Sequence, residues 1–249
     1  MNRAYISLIR GLREKKNRLE TGFFMAEGKK IVKEMLFSHF SLEMMFLLEN
    51  SDFLKNDIDK IPRDKISIID EKYLSRISLL KTPDTVLAIF KIPSDKEISI
   101  GNNELILALD GINNPSNLGA IIRVCDWFGI KKILCSENTV DVYNPKVIQS
   151  SMASIIRVDV HYTNLLEFLS DKKEDVFISS LDGENIYNAK LPSSGILIMG
   201  NESVGVSKDL SRLSNNRVSI PKFGMKKIDS LNVAVATGIL LSEFRRKNN

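Results

Sequence analysis

The sequence predicts an α/β protein: a mainly parallel sheet in the C-terminal part, preceded by a small α/β domain. From Glu104 onward, apolar runs of strand length alternate with amphipathic helical patterns, the order that builds a parallel sheet covered by helices. Before it, Ile92 to Asn103 is polar, carries Pro and Gly, and lacks periodicity, so a linker is expected there. The 249 residues, 43% of them apolar, supply enough core for two domains, expected at residues 1–97 and 98–249.

In the first part, Tyr5, Leu8, Ile9 and Leu12 recur at helical spacing and predict one helix over about the first 18 residues. A short strand or turn follows at Gly22 to Gly28, then a helix from Lys29 to Phe37. Strands are expected at Met44–Leu48, Ile66–Ile69 and Thr85–Phe90, with Lys72–Leu80 helical. In the second part the strands are Leu105–Leu109, Lys132–Cys135, Ile155–Val160, Val176–Ser179, Gly195–Met199 and Arg217–Ile220. The helices begin near Asn117, Pro145, Asn164, Lys208 and Leu231.

Charge is unevenly placed. The first 18 residues hold six basic side chains, Arg3, Arg10, Arg13, Lys15, Lys16 and Arg18, against Glu14 alone; with a net charge of +4 overall, the remainder carries one net negative charge. A basic amphipathic helix suits RNA phosphate, with Arg10, Arg13, Lys15 and Lys16 as the contacts expected. No run of eighteen apolar residues occurs and the first residues lack the continuous apolar segment of a signal peptide, so a cytoplasmic protein without a membrane partner is expected. Cys125 and Cys135 sit ten apart in apolar surroundings and read as buried free thiols. His39 and His161 are solitary, which gives neither a metal site nor a histidine-based triad support.

Three polar turns, each after a strand-like run, carry the chemistry. In the first, Asn113 to Arg123, Pro115 stops the strand and Ser116 or Asn117 is expected to cap the following helix. Arg123 falls off the apolar stripe and can lean back toward Asn114 and Asn117. The second, Met199-Gly-Asn-Glu-Ser-Val-Gly-Val206, has two glycines five apart and one charge, Glu202. In the third, from Ile220-Pro-Lys-Phe-Gly224 to Gly238, Ser230 is expected to cap the last helix, and Ala234, Ala236 and Gly238 to allow close helix packing. Open α/β sheets bind ligands at such strand ends. No G-x-G-x-x-G follows the first strand of this part and no G-x-x-x-x-G-K-[ST] occurs, which disfavours a standard dinucleotide or P-loop enzyme.

Asn114-Pro-Ser-Asn-Leu-Gly-Ala-Ile-Ile-Arg123, Met199-Gly-Asn-Glu-Ser-Val-Gly205, and Ile220-Pro with Ser230-Leu-Asn-Val-Ala-Val-Ala236 resemble, in this order, the three motifs of the SpoU (TrmH-like) branch of the SPOUT methyltransferases. Asn144 to Val158 is also similar to the family, so the resemblance spans about residues 104–246. Phe24-Met-Ala-Glu-Gly28 resembles its small substrate-binding domain. The resemblance implies a trefoil-knotted sheet, S-adenosylmethionine as methyl donor, a ribose 2′-hydroxyl of ribosomal or transfer RNA as acceptor, and a homodimer; no metal is expected, because the sequence offers no cluster of metal ligands. The resemblance also implies that main chain at Gly200, Ile220 and Leu231, beside Met199 and Asn201, holds the donor. Asn117, Arg123, Glu202, Ser230 and Asn232 would form the catalytic surroundings. The chain departs from the family in a longer loop between Ile220 and Leu231, where Lys222, Lys226 and Lys227 are placed to meet phosphate. A free guanidinium stays protonated at any working pH, so Arg123 is expected to position phosphate and stabilise developing charge rather than to act as the base. The competing reading is a non-catalytic RNA-binding or assembly factor on the same fold, which has no need for all five polar residues.

Overall fold

The computed structural model describes residues 3–53, 58–94, 97–101, 103–224 and 230–246; Lys226 and Lys227 lie outside the described residues. The chain forms two compact units, residues 1–96 with 143–156, and 97–142 with 157–249. The sequence reading places one boundary, after residue 97. The structure adds an excursion, because the segment 143–156 in the middle of the alternating half packs with the first unit.

The first unit starts with two helices, α1 (Arg3–Gly11) and α2 (Lys15–Thr21), where one was expected. The break has a physical cause in Arg18, which is only 1% exposed and donates from Nη1 to the carbonyls of Leu12 (2.7 Å) and Arg13 (2.9 Å). A cation thereby satisfies carbonyls at the end of α1. Then follow β1 (Phe23–Glu27), α3 (Lys29–Leu36), β2 (Leu42–Leu48), β3 (Ile66–Ile69), α4 (Glu71–Ile77) and β4 (Val86–Lys91). Among the described residues they build a sheet ordered β1-β4-β2-β3, antiparallel except for β2 with β3. Val86 to Phe90 is fully buried because both faces of β4 are covered. Ile9 and Leu12 join Leu74 and Ile77 of α4 over Leu87 and Ile89 on one face, while α3 packs on β1 and β4.

In the second unit the chain makes β5 (Leu105–Asp110), α5 (Pro115–Trp127) and β6 (Lys132–Cys135). It joins the first unit for α6 (Pro145–Ser151), whose Val147 and Ile148 are buried, with the Tyr143 ring 4.8 Å from that of Phe24. A short apolar stripe does not reveal which sheet it covers, so this placement was not legible in the sequence. Met152 and Ala153, both with positive φ (50° and 69°), turn the chain. The expected strand Ile155–Val160 is consequently displaced: Ser154–Ile156 is a 3₁₀ turn and β7 spans Asp159–Tyr162. The second unit is completed by α7 (Leu165–Ser170), β8 (Val176–Asn185), β9 (Gly195–Gly200), β10 (Arg217–Ser219) and α8 (Val233–Arg246).

The second sheet is ordered β10-β8-β9-β5-β6-β7 and every pair in it is parallel. After β5 the chain winds outward to β6 and β7, then starts again on the other side with β8 and β9. The winding therefore reverses beside β5, and the crevice at the carboxyl ends of β5 and β9 is where such sheets bind ligands. Asp110 pairs with Gly200 at that point. Cys125 and Cys135 are buried free thiols, as expected, and burial pushes both thiols far above their usual range.

Candidate active site

The three turns converge on a hydrogen-bonded relay at the winding reversal. Asn117 donates from Nδ2 to Oε1 of Glu202, and Asn232 donates from Nδ2 to Oδ1 of Asn117 at 3.0 Å. Asn232 Oδ1 in turn accepts from the backbone N–H groups of Ala234 (3.0 Å) and Val235 (3.3 Å). The order of atoms is dictated from both ends. An ionised carboxylate only accepts and the first turn of a helix only donates, so each carboxamide between them can be oriented in one way alone.

Local structure explains how these side chains become available. Asn114, not Ser116 or Asn117, caps α5: its Oδ1 accepts from Ser116 N–H at 2.9 Å, with Pro115 next. The proline has no N–H to satisfy and suits the first helical position, so the cap falls one residue before it. Asn117 is thus released to face Glu202. Likewise Asn232, not Ser230, accepts from the first turn of α8, and Ser230 and Leu231 are exposed ahead of it. One carboxamide therefore serves as both helix cap and relay member.

Glu202 sits in a loop closed on itself. Asn201 N–H donates to Gly205 O (3.1 Å) and Gly205 N–H to Asn201 O (2.8 Å). A Cβ on Gly200 would lie 2.1 Å from the Gly205 carbonyl carbon, so this crossing admits only glycine. The Asn201 side chain accepts from Ser203 N–H and donates to Gly111 O at 2.8 Å, which gives each of its polar groups a partner inside this framework. Met199 is buried, Gly200 and Ile220 are half-buried, and Leu231 is 47% exposed. These main-chain segments with an uncovered apolar side chain suit a flat, uncharged adenosyl group better than a polyanion.

Arg123 is exposed on α5, six residues past Asn117, and among the described contacts none joins it to Asn114 or Asn117. It shares a helix face with Trp127, four residues on and 85% exposed. In the first unit, Arg10 Nε donates to Arg76 O (3.2 Å) and Arg13 to Ser78 O (3.3 Å), while Lys15 and Lys16 are exposed, Lys16 beside Glu20. A cavity of about 920 Å³ lies along β8 and β10, lined by Asp182, Lys190 and Arg217 among others, and contains no relay residue. Among the described residues no group of three or more His, Cys, Asp or Glu is placed to hold a metal, and no helix is long and apolar enough to cross a membrane.

Residues 104–242, which hold all three turns, match the model of the SpoU rRNA methylase family. The chain belongs to that family. Residues 3–88 match the MRM3-like substrate binding domain, which lies within the first unit. A 23S rRNA (guanosine(2553)-2′-O)-methyltransferase of Bacillus subtilis is 28% identical over 244 residues, covering 94% of this chain and 93% of that protein. A candidate RNA methyltransferase of the TrmH family from Porphyromonas gingivalis is similar in structure, with 35% identity, a TM-score of 0.87 and 99% of both chains covered. An S-adenosylmethionine-bound rRNA methyltransferase from Sinorhizobium meliloti gives 28% identity and a TM-score of 0.87 over 98% of this chain and 95% of that one. Within this SpoU protein, Asp110, Gly111 and Ser207 frame the motif-two loop and were missed in the sequence. The signal was there: a carboxylate directly after the apolar strand Leu105–Leu109 and before a glycine.

Proposed function

We propose that this SpoU protein is an S-adenosylmethionine-dependent RNA methyltransferase that modifies a ribose 2′-hydroxyl of ribosomal or transfer RNA. The observation that carries the reading is the relay: three turns distant in sequence meet through Asn232, Asn117 and Glu202, in one fixed order, at the winding reversal. S-adenosylmethionine supplies an activated methyl group when bound. Main chain at Gly200, Ile220 and Leu231 would hold its adenosyl end, and the methyl would pass from the donor's sulfonium, left as a thioether, to the hydroxyl oxygen, whose proton would go to solvent.

The chain's own work in this step is positioning and charge stabilisation. Each carboxamide has two N–H groups, of which the relay uses one, so Asn117 and Asn232 each keep a donor for a ribose oxygen. Glu202 fixes which way Asn117 presents that donor. Arg123, always cationic, holds the phosphate next to the target ribose. Trp127 and Val235, 85% and 52% exposed on α5 and α8, support a homodimer through these two helices, which would bring Arg123 to the subunit interface. The trefoil knot and the domain assignment of residues 1–97 as RNA-binding belong to the same reading.

The test is to map ribose methylation across cellular RNA with and without the protein. Loss of one or a few methyl marks is expected, together with turnover in vitro using purified protein and labelled donor. An unchanged map and no donor binding by calorimetry would leave the non-catalytic assembly factor standing instead.

A further inference from the structure

We propose that Asp110 is a positioning residue for methyl transfer: with the adjoining Gly111 it fastens both ends of the loop that carries Glu202. This inference rests on the reading of the site as a methyltransferase centre. Asp110 ends β5, is half-buried, and accepts from the backbone N–H of Ser207 through Oδ2 at 2.7 Å. Gly111 accepts through its carbonyl from Asn201 Nδ2 at 2.8 Å. Residues 201 and 207 bracket Glu202, so two consecutive residues of β5's end grip the loop on both sides of the carboxylate.

The grip is itself anchored. Gly111 N–H donates to Ser136 Oγ at 2.8 Å, and Ser136 Oγ lies 2.6 Å from Asn138 Oδ1 and 3.0 Å from Thr139 Oγ1. Thr139 Oγ1, which is buried, donates back to Leu109 O. The peptide at Gly111 is therefore held from the β6 side by its N–H and from the β9 side by its carbonyl. Its φ of 69° is the left-handed conformation that lets the carbonyl turn to Asn201, and a side chain there would crowd Asn138 at 3.3 Å. Among the described contacts Glu202 has no comparable anchor of its own, and its carboxylate reaches to Asn117. Sub-ångström placement of a polar group is worth large factors in rate, so the holder of the loop influences the chemistry without touching the reacting atoms.

The experiment is a kinetic cycle with labelled S-adenosylmethionine and unmodified transcripts of ribosomal and transfer RNA, on the full chain, with unfolding midpoints measured in parallel. Asp110→Ala should lower kcat about tenfold, below the roughly hundredfold cost of an ångström-scale misplacement, and should lower the unfolding midpoint slightly through the lost bond from Ser207 N–H. Asp110→Asn should recover most of that loss, because its amide oxygen still accepts from Ser207 N–H. In a Glu202→Ala background Asp110→Ala should have almost no further effect, since its influence runs through Glu202. Should Asp110→Ala fail to fold, Asn201→Ala releases the other end of the loop and is expected to show the same dependence on Glu202. Losses that multiply independently in the double variant, or an Asn variant as poor as the Ala one, overturn the inference. Parent turnover that Asp110→Ala leaves intact overturns it alone, whereas a parent with no turnover on any transcript overturns the underlying reading as well.

Discussion

Two glutamates, one in each unit, show how the same side chain is put to opposite uses. Glu27 ends β1, is 4% exposed, and accepts from Ser78 Oγ and from Leu79 N–H (3.0 Å). Glu202 is half-buried at a loop and accepts from a carboxamide, which itself faces a second one. Burial pushes the Glu27 carboxyl above the ordinary range, despite the bonds from Ser78 and Leu79 that act against it. Glu27 joins β1 to the turn after α4 and is fully engaged by it. Glu202 joins turns that, in the proposed reading, also receive donor and ribose, and its partners keep donors in hand. A carboxylate bonded to backbone and hydroxyl inside a domain holds the fold; one bonded to a carboxamide at a winding reversal is placed, in the proposed reading, to orient that carboxamide for chemistry.

The largest expected effect lies on the Glu202 side. Asn117→Ala removes the middle of the relay, and methyl transfer should fall about a hundredfold, the lower end of what loss of one positioned donor costs. Because Asn114 and not Asn117 caps α5, the unfolding midpoint should hardly move. A fall in kcat of less than threefold would place the relay outside the chemistry and erase the contrast with Glu27.

Glu27 is expected to behave in the reverse way. Glu27→Ala leaves the Ser78 hydroxyl and Leu79 N–H without their acceptor and should lose about 2–3 kcal/mol of stability to urea. Donor affinity, read by calorimetry at a temperature where the variant is folded, should be unchanged. The pH dependence sharpens this. Since the folded chain holds the Glu27 proton more tightly than the unfolded chain, this group favours folding most below the ordinary Glu range, near pH 4.3, and the contribution is lost as pH rises through the elevated value. Glu27→Gln should remove that slope while Glu202→Gln leaves it in place, measured as urea midpoints between pH 4 and 7.

The residues of the relay stand in turns that were legible as sequence, but the bonds among them were not. An apolar run followed by Asn and Pro announces a strand end and a helix start. The expectation that Ser116 or Asn117 caps α5 overlooked that Pro115 takes the first helical position and leaves the cap to Asn114. At α8 Ser230 was the expected cap, whereas Asn232 takes that role. Charge counting could not tell these side chains apart in the first unit: Arg18 looks like its basic neighbours in sequence, yet it is buried to satisfy the end of α1, while the exposed Arg10 and Arg13 each donate to one backbone carbonyl. A guanidinium on an amphipathic helix can complete a neighbour's hydrogen bonds as readily as it meets phosphate.

That revision sets the next, smaller expectation. Lys15 and Lys16 are exposed basic residues of the segment without a described bond to its carbonyls. Replacing both with Gln should flatten the slope of log RNA affinity against log salt by at most about 1.4, at roughly 0.7 per phosphate contact on single strands. Affinity should drop alike for many RNAs while donor binding stays as in the parent. An unchanged slope would mean that the segment's charge is a solvated face.

The smallest expected effect concerns backbone rather than charge, and compares the same two regions. Gly111 beside the site and Ala153 in the first unit's excursion share a φ of 69°, one on a residue that adopts it freely and one that does not. Ala153→Gly relieves a left-handed alanine, a gain of about 1–2 kcal/mol. It also removes a fully buried methyl, about 0.8 kcal/mol, and adds chain entropy to the unfolded state, about 0.5–1 kcal/mol. The terms nearly cancel, so the urea midpoint should shift by no more than corresponds to about 1 kcal/mol in either direction. Gly111→Ala meets only the unfavourable half, strain plus the crowding of Asn138, and should destabilise by about 1–2 kcal/mol while lowering kcat through the loop it holds. If instead Ala153→Gly lost more than about 2 kcal/mol, the alanine methyl would be a packing element that outweighs its backbone strain, and the first unit would tolerate this conformation for the sake of its core.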